Sequence, residues 1–509
     1  MLRRLLQNTG SNLALHFVKI AITFVMTPVI VRALGNYDYG IWEMVIAVVG
    51  YMGLLDLGFR PTISRYAAKF NAERDPQGLQ VLFSTSVTFL GGVGAVLMTI
   101  LVGVALLFPQ WLAAPGGDAT RYSIFLAIIG LQLFAAFVGN VAESMLEGLQ
   151  LYYVKNSVTI FNSVVGAICT FLFIRKFDPL LVLALLNGIG TTTKFATFFV
   201  LLKRARGGSL QLTTRYRSLK FLKESFAFSI KSFIQGLATS LESSAPPVII
   251  GAILGPAVVV FYSLPAALAK QVRSLVWTLT HAFMPLFSDL HARGQGERVA
   301  QVYMTGSRIL LAVIAPTIVL IVMLGPQFIG RWIGPEYGER AAGILPFLVC
   351  AFLAPSLNPF VGRYLTALGQ HGFLAKAGPV SALSGIALSL ILIHRHGVEG
   401  VAVALMVPAV LLTMAVTVYA CRHIGVSVSQ YFRKTLLPLI VPLALMTLVA
   451  WELEKVLRGE TYFEMGVIAG ASALVYLAVM PWFVTNRDER AMASAWLGAL
   501  LARLRRRTA

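Results

Sequence analysis

Long polar stretches are what this 509-residue chain lacks. The longest, at 203–224, 285–305 and beyond Thr485, run to roughly twenty to thirty residues, too short for an independently folding soluble domain. Negative charge is scarce as well: 22 Asp and Glu stand against 42 Lys and Arg, in a chain only 13% charged. Cysteine is nearly absent. Cys169, Cys350 and Cys421 are scattered in or beside apolar segments, which excludes a disulfide framework or thiolate metal site and leaves them as packing thiols. There is no P-loop, which excludes ATP hydrolysis by that route, and no HExxH zinc motif. His394-Arg395-His396 lies in a short outer loop without a metal-site pattern. Gly91-Gly92-Val93-Gly94 lies inside an apolar segment, where it suits close helix packing and not phosphate binding.

What is present is apolar sequence. Hydrophobic residues make up 57% of the chain and its mean hydropathy is +0.77. Fourteen separable apolar segments are predicted, at 12–33, 40–59, 79–108, 119–142, 154–174, 180–202, 225–254, 256–284, 306–324, 341–366, 373–393, 398–420, 434–451 and 463–484. A helix needs about 20 such residues to cross a bilayer. The fold class is therefore an all-α polytopic membrane protein. The first segment is long, carries Lys19 and lacks a small-residue cleavage pattern, so it is read as a retained helix and not a signal peptide.

The net charge of +20 would suit nucleic acid, but its distribution argues for topology. With the N-terminus placed in the cytoplasm, inner segments hold 28 Lys and Arg, outer segments nine, and five lie within helices. Basic residues favour the cytoplasmic side, so both termini are expected there. The inner loop from Lys203 to Lys223 should also attract anionic lipid headgroups. The outer loop between the last two helices is acidic, with Glu452, Glu454, Glu460 and Glu464.

The chain repeats itself faintly. Pro28-Val29-Ile30-Val31-Arg32-Ala33-Leu34-Gly35 is echoed by Pro247-Val248-Ile249-Ile250-Gly251-Ala252-Ile253-Leu254-Gly255. Transporters often carry repeats and bind substrate between them. The expected layout is an N-terminal lobe at 1–215, a C-terminal lobe at 216–425, an extra helix pair at 426–485 and a basic cytoplasmic tail at 486–509.

Ionisable residues at membrane depth are the functional signal, because a charge at a helix centre costs about 2.5–3.5 kcal/mol. Candidates are Lys19, with His16 and Thr23 on its face; Asp56 and Arg60, an i, i+4 pair; Lys194; Lys231 and Glu242 along one side of helix 7 with Gln235; and Lys270 and Arg273, followed by Trp277 and His281 on helix 8. Five internal cations face two clear internal acids, Asp56 and Glu242. Such a surplus suits an anionic substrate, such as a phosphorylated lipid headgroup, and Lys270 and Arg273 are the foremost candidates. Lys19, Lys194 and Lys231 could instead snorkel to headgroups, and Asp56 could simply pair with Arg60. Helices 7 and 8 are expected to be broken by Pro246, Pro247, Pro256 and Pro265.

Several stretches resemble a known family. Arg32-Ala33-Leu34-Gly35-Asn36-Tyr37-Asp38-Tyr39-Gly40-Ile41-Trp42, Leu55-Asp56-Leu57-Gly58-Phe59 with Arg65-Tyr66-Ala67-Ala68, Glu147-Gly148-Leu149-Gln150, Leu365-Thr366-Ala367-Leu368-Gly369-Gln370 and Gly397-Val398-Glu399-Gly400-Val401-Ala402 together resemble the polysaccharide transporter, or O-antigen-type flippase, branch of the multidrug/oligosaccharidyl-lipid/polysaccharide flippase superfamily. The resemblance covers about residues 8–480. It implies two six-helix lobes around a central cavity plus two C-terminal helices. It also implies translocation of an undecaprenyl-diphosphate-linked oligosaccharide or polysaccharide repeat unit across the bacterial inner membrane by alternating access, without enzymatic activity or a cofactor. Expected partners are that lipid-linked substrate, membrane lipids, and glycosyltransferases and a polymerase of the same pathway; no nucleic acid is expected. Coupling to protons or sodium ions is left open. Alternatives are a cation-coupled multidrug antiporter, which should show more internal carboxylates, a peptidoglycan-precursor flippase, and a membrane-embedded polymerase, which should carry a larger outer loop.

Overall fold

The computed structural model describes residues 2–108, 110, 118–205, 210–211, 213–281, 283–368 and 372–485, and these are helical almost throughout. The side chains of Lys231, Gln235 and His281 lie outside the description, as do Gly369, Gln370 and the basic tail at 486–509. The helices are α1 (Leu2–Gly53), α2 (Phe59–Ala72), α3 (Pro76–Leu107), α4 (Ala119–Gly148), α5 (Tyr152–Phe173), α6 (Pro179–Ala205), α7 (Leu219–Leu254), α8 (Val259–His281), α9 (Phe283–Ala292), α10 (Gly296–Trp332), α11 (Pro335–Leu353), α12 (Val361–Ala367), α13 (Gly372–Ile424), α14 (Val428–Tyr431), α15 (Leu437–Leu457) and α16 (Tyr462–Val484).

Ten helical stretches among the described residues are long and apolar enough to cross a membrane, and the protein is a polytopic all-α membrane protein. Straight helices of 52 and 53 residues, as in α1 and α13, would reach about 80 Å at 1.5 Å per residue, well beyond the roughly 30 Å hydrocarbon core. Each is instead two helices joined across a kink, at Gly35 and at Gly397. Each thereby contains two of the segments expected from hydropathy. The described part of α7 also contains a shorter apolar stretch, Ser240–Leu254.

The chain forms two compact units, residues 1–260 and 261–509. In the first, α4 is the central element and packs against α2, α3 and α6. Its buried ridge, Phe125, Ile129, Leu133, Phe137, Val141 and Met145, repeats every fourth residue and so winds slowly around the helix, meeting neighbours on more than one side. Glycines let the neighbours close in. A Cβ on Gly139 would fall 1.9 Å from the Phe195 ring of α6, and one on Gly94 would fall 3.0 Å from Phe137, so the glycine run in α3 serves packing as its composition implied. In the second unit α11 is the most enclosed helix, with Ile344, Leu345, Leu348, Val349 and Phe352 buried between α10 and α13. The outward surfaces carry large apolar side chains, among them Phe161, Ile391, Phe463 and Trp482. A patchwork of that extent suits lipid and not water.

α7, expected to open the second lobe, packs in the first unit against α1 and α2. The match with α1 runs antiparallel: Gly251 meets Met44, Ser244 meets Gly50, and Gly236 meets Leu54, small residues permitting close backbone approach. Of the four expected proline breaks, one is observed. α7 remains helical through the buried pair Pro246 and Pro247, and α8 through Pro265; only Pro256 marks an interruption, at the first position of a 3-10 turn. Packing against neighbours tolerates the lost hydrogen bonds.

The Leu-Gly repeat has a backbone counterpart. Gly35 (φ 70°, ψ 176°) and Gly255 (φ 93°, ψ 153°) adopt nearly the same conformation, one essentially restricted to glycine. A Cβ on Gly35 would meet nothing within 4 Å, so any penalty there is pure backbone strain. Gly35→Ala should therefore destabilise the purified protein by about 1–3 kcal/mol. Gly92→Ala, also in open space but on an ordinary helix, should be neutral or slightly stabilising. Thermal unfolding of both variants in detergent would check this; equal behaviour would contradict it.

Candidate functional site

A set of charges in the first unit gathers where α4 turns into α5. A Cβ at Gly148 would sit 2.3 Å from the Ser64 carbonyl oxygen and 2.8 Å from Ala67, so glycine at the end of α4 allows α2 to lie directly against it. One turn before Ser64, Arg60 is thereby brought level with Glu143 of α4, 3.8 Å away. Lys155, on the first turn of α5, contacts Glu143 at 3.7 Å and Glu147 at 2.7 Å. The N-terminal part of α1 is stitched to the same turn: Asn8 donates to the Gln150 carbonyl at 3.2 Å, and Asn156 donates to Asn12 at 2.6 Å and Ser11 at 3.0 Å. Lys19 follows two turns along α1. Lys194 of α6, with its Nζ 4.1 Å from the Phe195 ring centroid, feels the charges of Glu143, Lys19, Arg60 and Lys155.

Three of the predicted residues, Lys19, Arg60 and Lys194, thus share one electrostatic neighbourhood. Asp56 stands at its edge, where Arg60's charge reaches it, but the alternative reading, a direct Asp56–Arg60 ion pair, is not met. Leu57 (φ 53°) and Gly58 (φ 73°) are left-handed, so residues 56 and 60 do not lie on one continuous helix and their four-residue spacing does not align them. Asp56 accepts a hydrogen bond from the Gly58 N–H at 2.8 Å instead, and Arg60 turns to Glu143. Glu242 is half-buried on α7, and the Lys231 side chain lies outside the described residues.

In the second unit Lys270 and Arg273 both approach Phe352 of α11, at 5.5 and 6.0 Å from the ring centroid, within cation–π range. Trp277, on the same face of α8, is 61% exposed. Arg363 of α12 lies 4.6 Å from its ring and donates to its carbonyl at 3.5 Å. No group of His, Cys, Asp or Glu among the described residues could hold a metal ion.

Sequence reasoning missed Glu143, Lys155 and Arg363. Each stands near the end of an apolar segment, where a charge reads as a topological marker. The spacing Glu143, Glu147 and then Lys155 across a short turn was the available signal. A second missed set lies at the opposite end of α4. Arg121 donates to Asp38 at 2.6 Å and also pairs with Asp178, and the Tyr122 hydroxyl donates to Asp38 at 2.7 Å. This clamp joins α1, α4 and the start of α6, where Asp178 also accepts the Leu181 N–H at 2.9 Å. It lies about 33 Å from Glu143 along the helix rise, and its members are too distant in sequence to announce one another.

Residues 5–291 match the polysaccharide biosynthesis protein family. The chain belongs to that family. Among curated relatives, a putative O-antigen transporter of Shigella flexneri is 20% identical over 407 residues, which is 79% of this chain and 94% of the relative. A probable low-salt glycan biosynthesis flippase, Agl15, of Haloferax volcanii is 21% identical over 380 residues, 73% of this chain and 74% of the relative. Among solved structures, an inward-facing multidrug resistance MATE family transporter of the MOP superfamily superposes with a TM-score of 0.66 at 14% identity, covering 81% of this chain and 98% of the other. A MOP superfamily transporter from Pyrococcus furiosus gives 0.59 at 14% identity, covering 83% and 95%. These likenesses establish a MOP-superfamily fold for this family member.

Removing Arg121 leaves two partly buried carboxylates facing each other. Arg121→Ala should destabilise the protein by about 2–4 kcal/mol. Arg121→Lys, which keeps the charge but not the two-sided fork, should fall between that variant and the wild type. Melting temperatures in detergent would order the three, and an Arg121→Ala protein as stable as the wild type would show the clamp to be dispensable.

Proposed function

We propose that this protein is a flippase for lipid-linked oligosaccharide or polysaccharide repeat units, carried on a diphosphate, across the bacterial inner membrane. The observation that carries the reading is the gathering of Arg60 and Lys155 on Glu143, with Glu147 on Lys155, in a neighbourhood that Lys19, Lys194 and Asp56 share, so that four cations meet three carboxylates. A helix bundle tolerates such a surplus poorly without an anionic ligand. Each phosphorus of a diphosphate diester carries one ionised oxygen, so that headgroup suits a net positive pocket, while the lipid tail remains in hydrocarbon. Family membership and the glycan-transporting relatives support the same class of substrate. Lys270 and Arg273 are proposed to receive the headgroup in the second half of the chain, with Asp56, Lys231 and Glu242 as further candidates.

In this reading the lobes are 1–215 and 216–425, followed by the pair 426–485 and the tail. Both termini face the cytoplasm, there are fourteen crossings, and the headgroup is exposed alternately to the two sides. The chain performs no covalent chemistry; sugar addition and polymerisation fall to glycosyltransferases and a polymerase of the same pathway. An excess of cations is the reverse of what a cation-coupled antiporter requires, which favours the flippase.

A deletion strain tests the class. The expected result is a glycan-diphosphate lipid trapped in the cytoplasmic leaflet. New drug sensitivity with no trapped lipid would point to the antiporter, and unpolymerised units on the outer side to a polymerase. Within that strain, Arg60→Ala and Arg273→Ala should each restore glycan export at least tenfold less well than the wild type, at equal membrane abundance, given that a lost charge-assisted contact is worth about 1.5–3 kcal/mol. Full export by an equally abundant Arg273→Ala protein would remove that residue from the substrate path.

A further inference from the structure

Glu143 is the unexpected member of the basic cluster. It lies between Arg60 and Lys155, touching each at the outer limit of ion pairing, 3.8 and 3.7 Å. Its side chain is only 17% exposed. Glu147, one turn away, is different: it binds Lys155 closely, at 2.7 Å. The two carboxylates therefore do separate things. Glu147 fixes the position of Lys155. Glu143 spreads one negative charge loosely over Arg60 and Lys155, with Lys194 also in its field.

We infer that Glu143 is an internal counter-ion that occupies the phosphate position in the unloaded protein and is displaced when the substrate's diphosphate arrives. This rests on the reading of the chain as a flippase. Arg60, Lys155 and Lys194 repel one another when no anion lies among them, so a carboxylate that neutralises them between cycles keeps the empty site stable. A loosely bridging carboxylate can do this without outcompeting a diphosphate, whose oxygens reach both cations at once with shorter, charge-assisted bonds. When Glu143 returns to Arg60 and Lys155 it competes with the headgroup and helps release it. Glu143 is thus a positioning residue that limits affinity in order to permit turnover.

The consequence runs against the usual effect of deleting an ion pair. Glu143→Gln should bind polyanions more tightly and transport them more slowly. The test uses the full-length protein in detergent, with geranylgeranyl diphosphate as probe and geranylgeranyl monophosphate as control, followed by transport of a fluorescent polyprenyl-diphosphate sugar in proteoliposomes. Glu143→Gln is expected to bind the diphosphate about tenfold tighter than the wild type, with a smaller gain for the monophosphate, and to show a lower maximal transport rate at a lower half-saturating concentration. Adding Arg60→Gln should abolish the gain, because Glu143 acts through that cation. A merely structural Glu143 would weaken binding and transport together.

Wild-type binding with unchanged or weaker binding by a folded Glu143→Gln would overturn the counter-ion role and leave the flippase reading intact. No diphosphate binding by the wild type, with no transport, would overturn the flippase reading and this inference with it. If Glu143→Gln does not fold, Glu143→Asp decides. It keeps the charge but retracts it from cations already at the limit of contact, so tighter binding supports the exchange and unchanged or weaker binding overturns it.

Discussion

Hydrocarbon offers no water to a polar group, and the rest of this structure follows from that constraint. Backbone amides have to bond within their own segment, which selects helices. Side-chain charges have to lie near an end, find an opposite partner, or lean on an aromatic face. All three solutions are used. The clamp at Arg121 closes one end of α4, the Glu143 and Lys155 group occupies the other, and the charged residues deeper in the second unit, Lys270 and Arg273, approach Phe352.

Within the first unit the two ends of α4 are built to different tolerances. At the Arg121 end a guanidinium fork grips two carboxylates and a tyrosine hydroxyl supports one of them, joining three helices with short bonds. At the other end Arg60 and Lys155 share Glu143 at 3.8 and 3.7 Å, while Glu147 holds Lys155 at 2.7 Å. The first arrangement is architecture. The second is the one proposed above to receive an anionic headgroup.

Much of the fold was legible because hydropathy and helix length speak directly to membrane crossing. Segment positions, the glycine run in α3 and the equivalence of the Gly35 and Gly255 turns could all be read from residue order. Two kinds of inference did not carry over. Helical spacing misled at Asp56 and Arg60, where left-handed Leu57 and Gly58 rotate the chain out of register. Proline misled in α7, because Pro246 and Pro247 are enclosed by neighbours that the local sequence does not name. Of the candidate site, Lys19, Arg60 and Lys194 were visible as isolated charges. Their common neighbour Glu143 was not, since what unites them is the approach of α2 to the glycine at the end of α4, a tertiary fact with no local signature.

The clamp at Arg121 has a mechanical corollary. The fork fixes the spacing of α1, α4 and the start of α6 at one end, while the Asn8 and Asn156 bonds hold α1 to the α4–α5 turn at the other. Helices fastened at both ends resist splaying and turn more readily as one body.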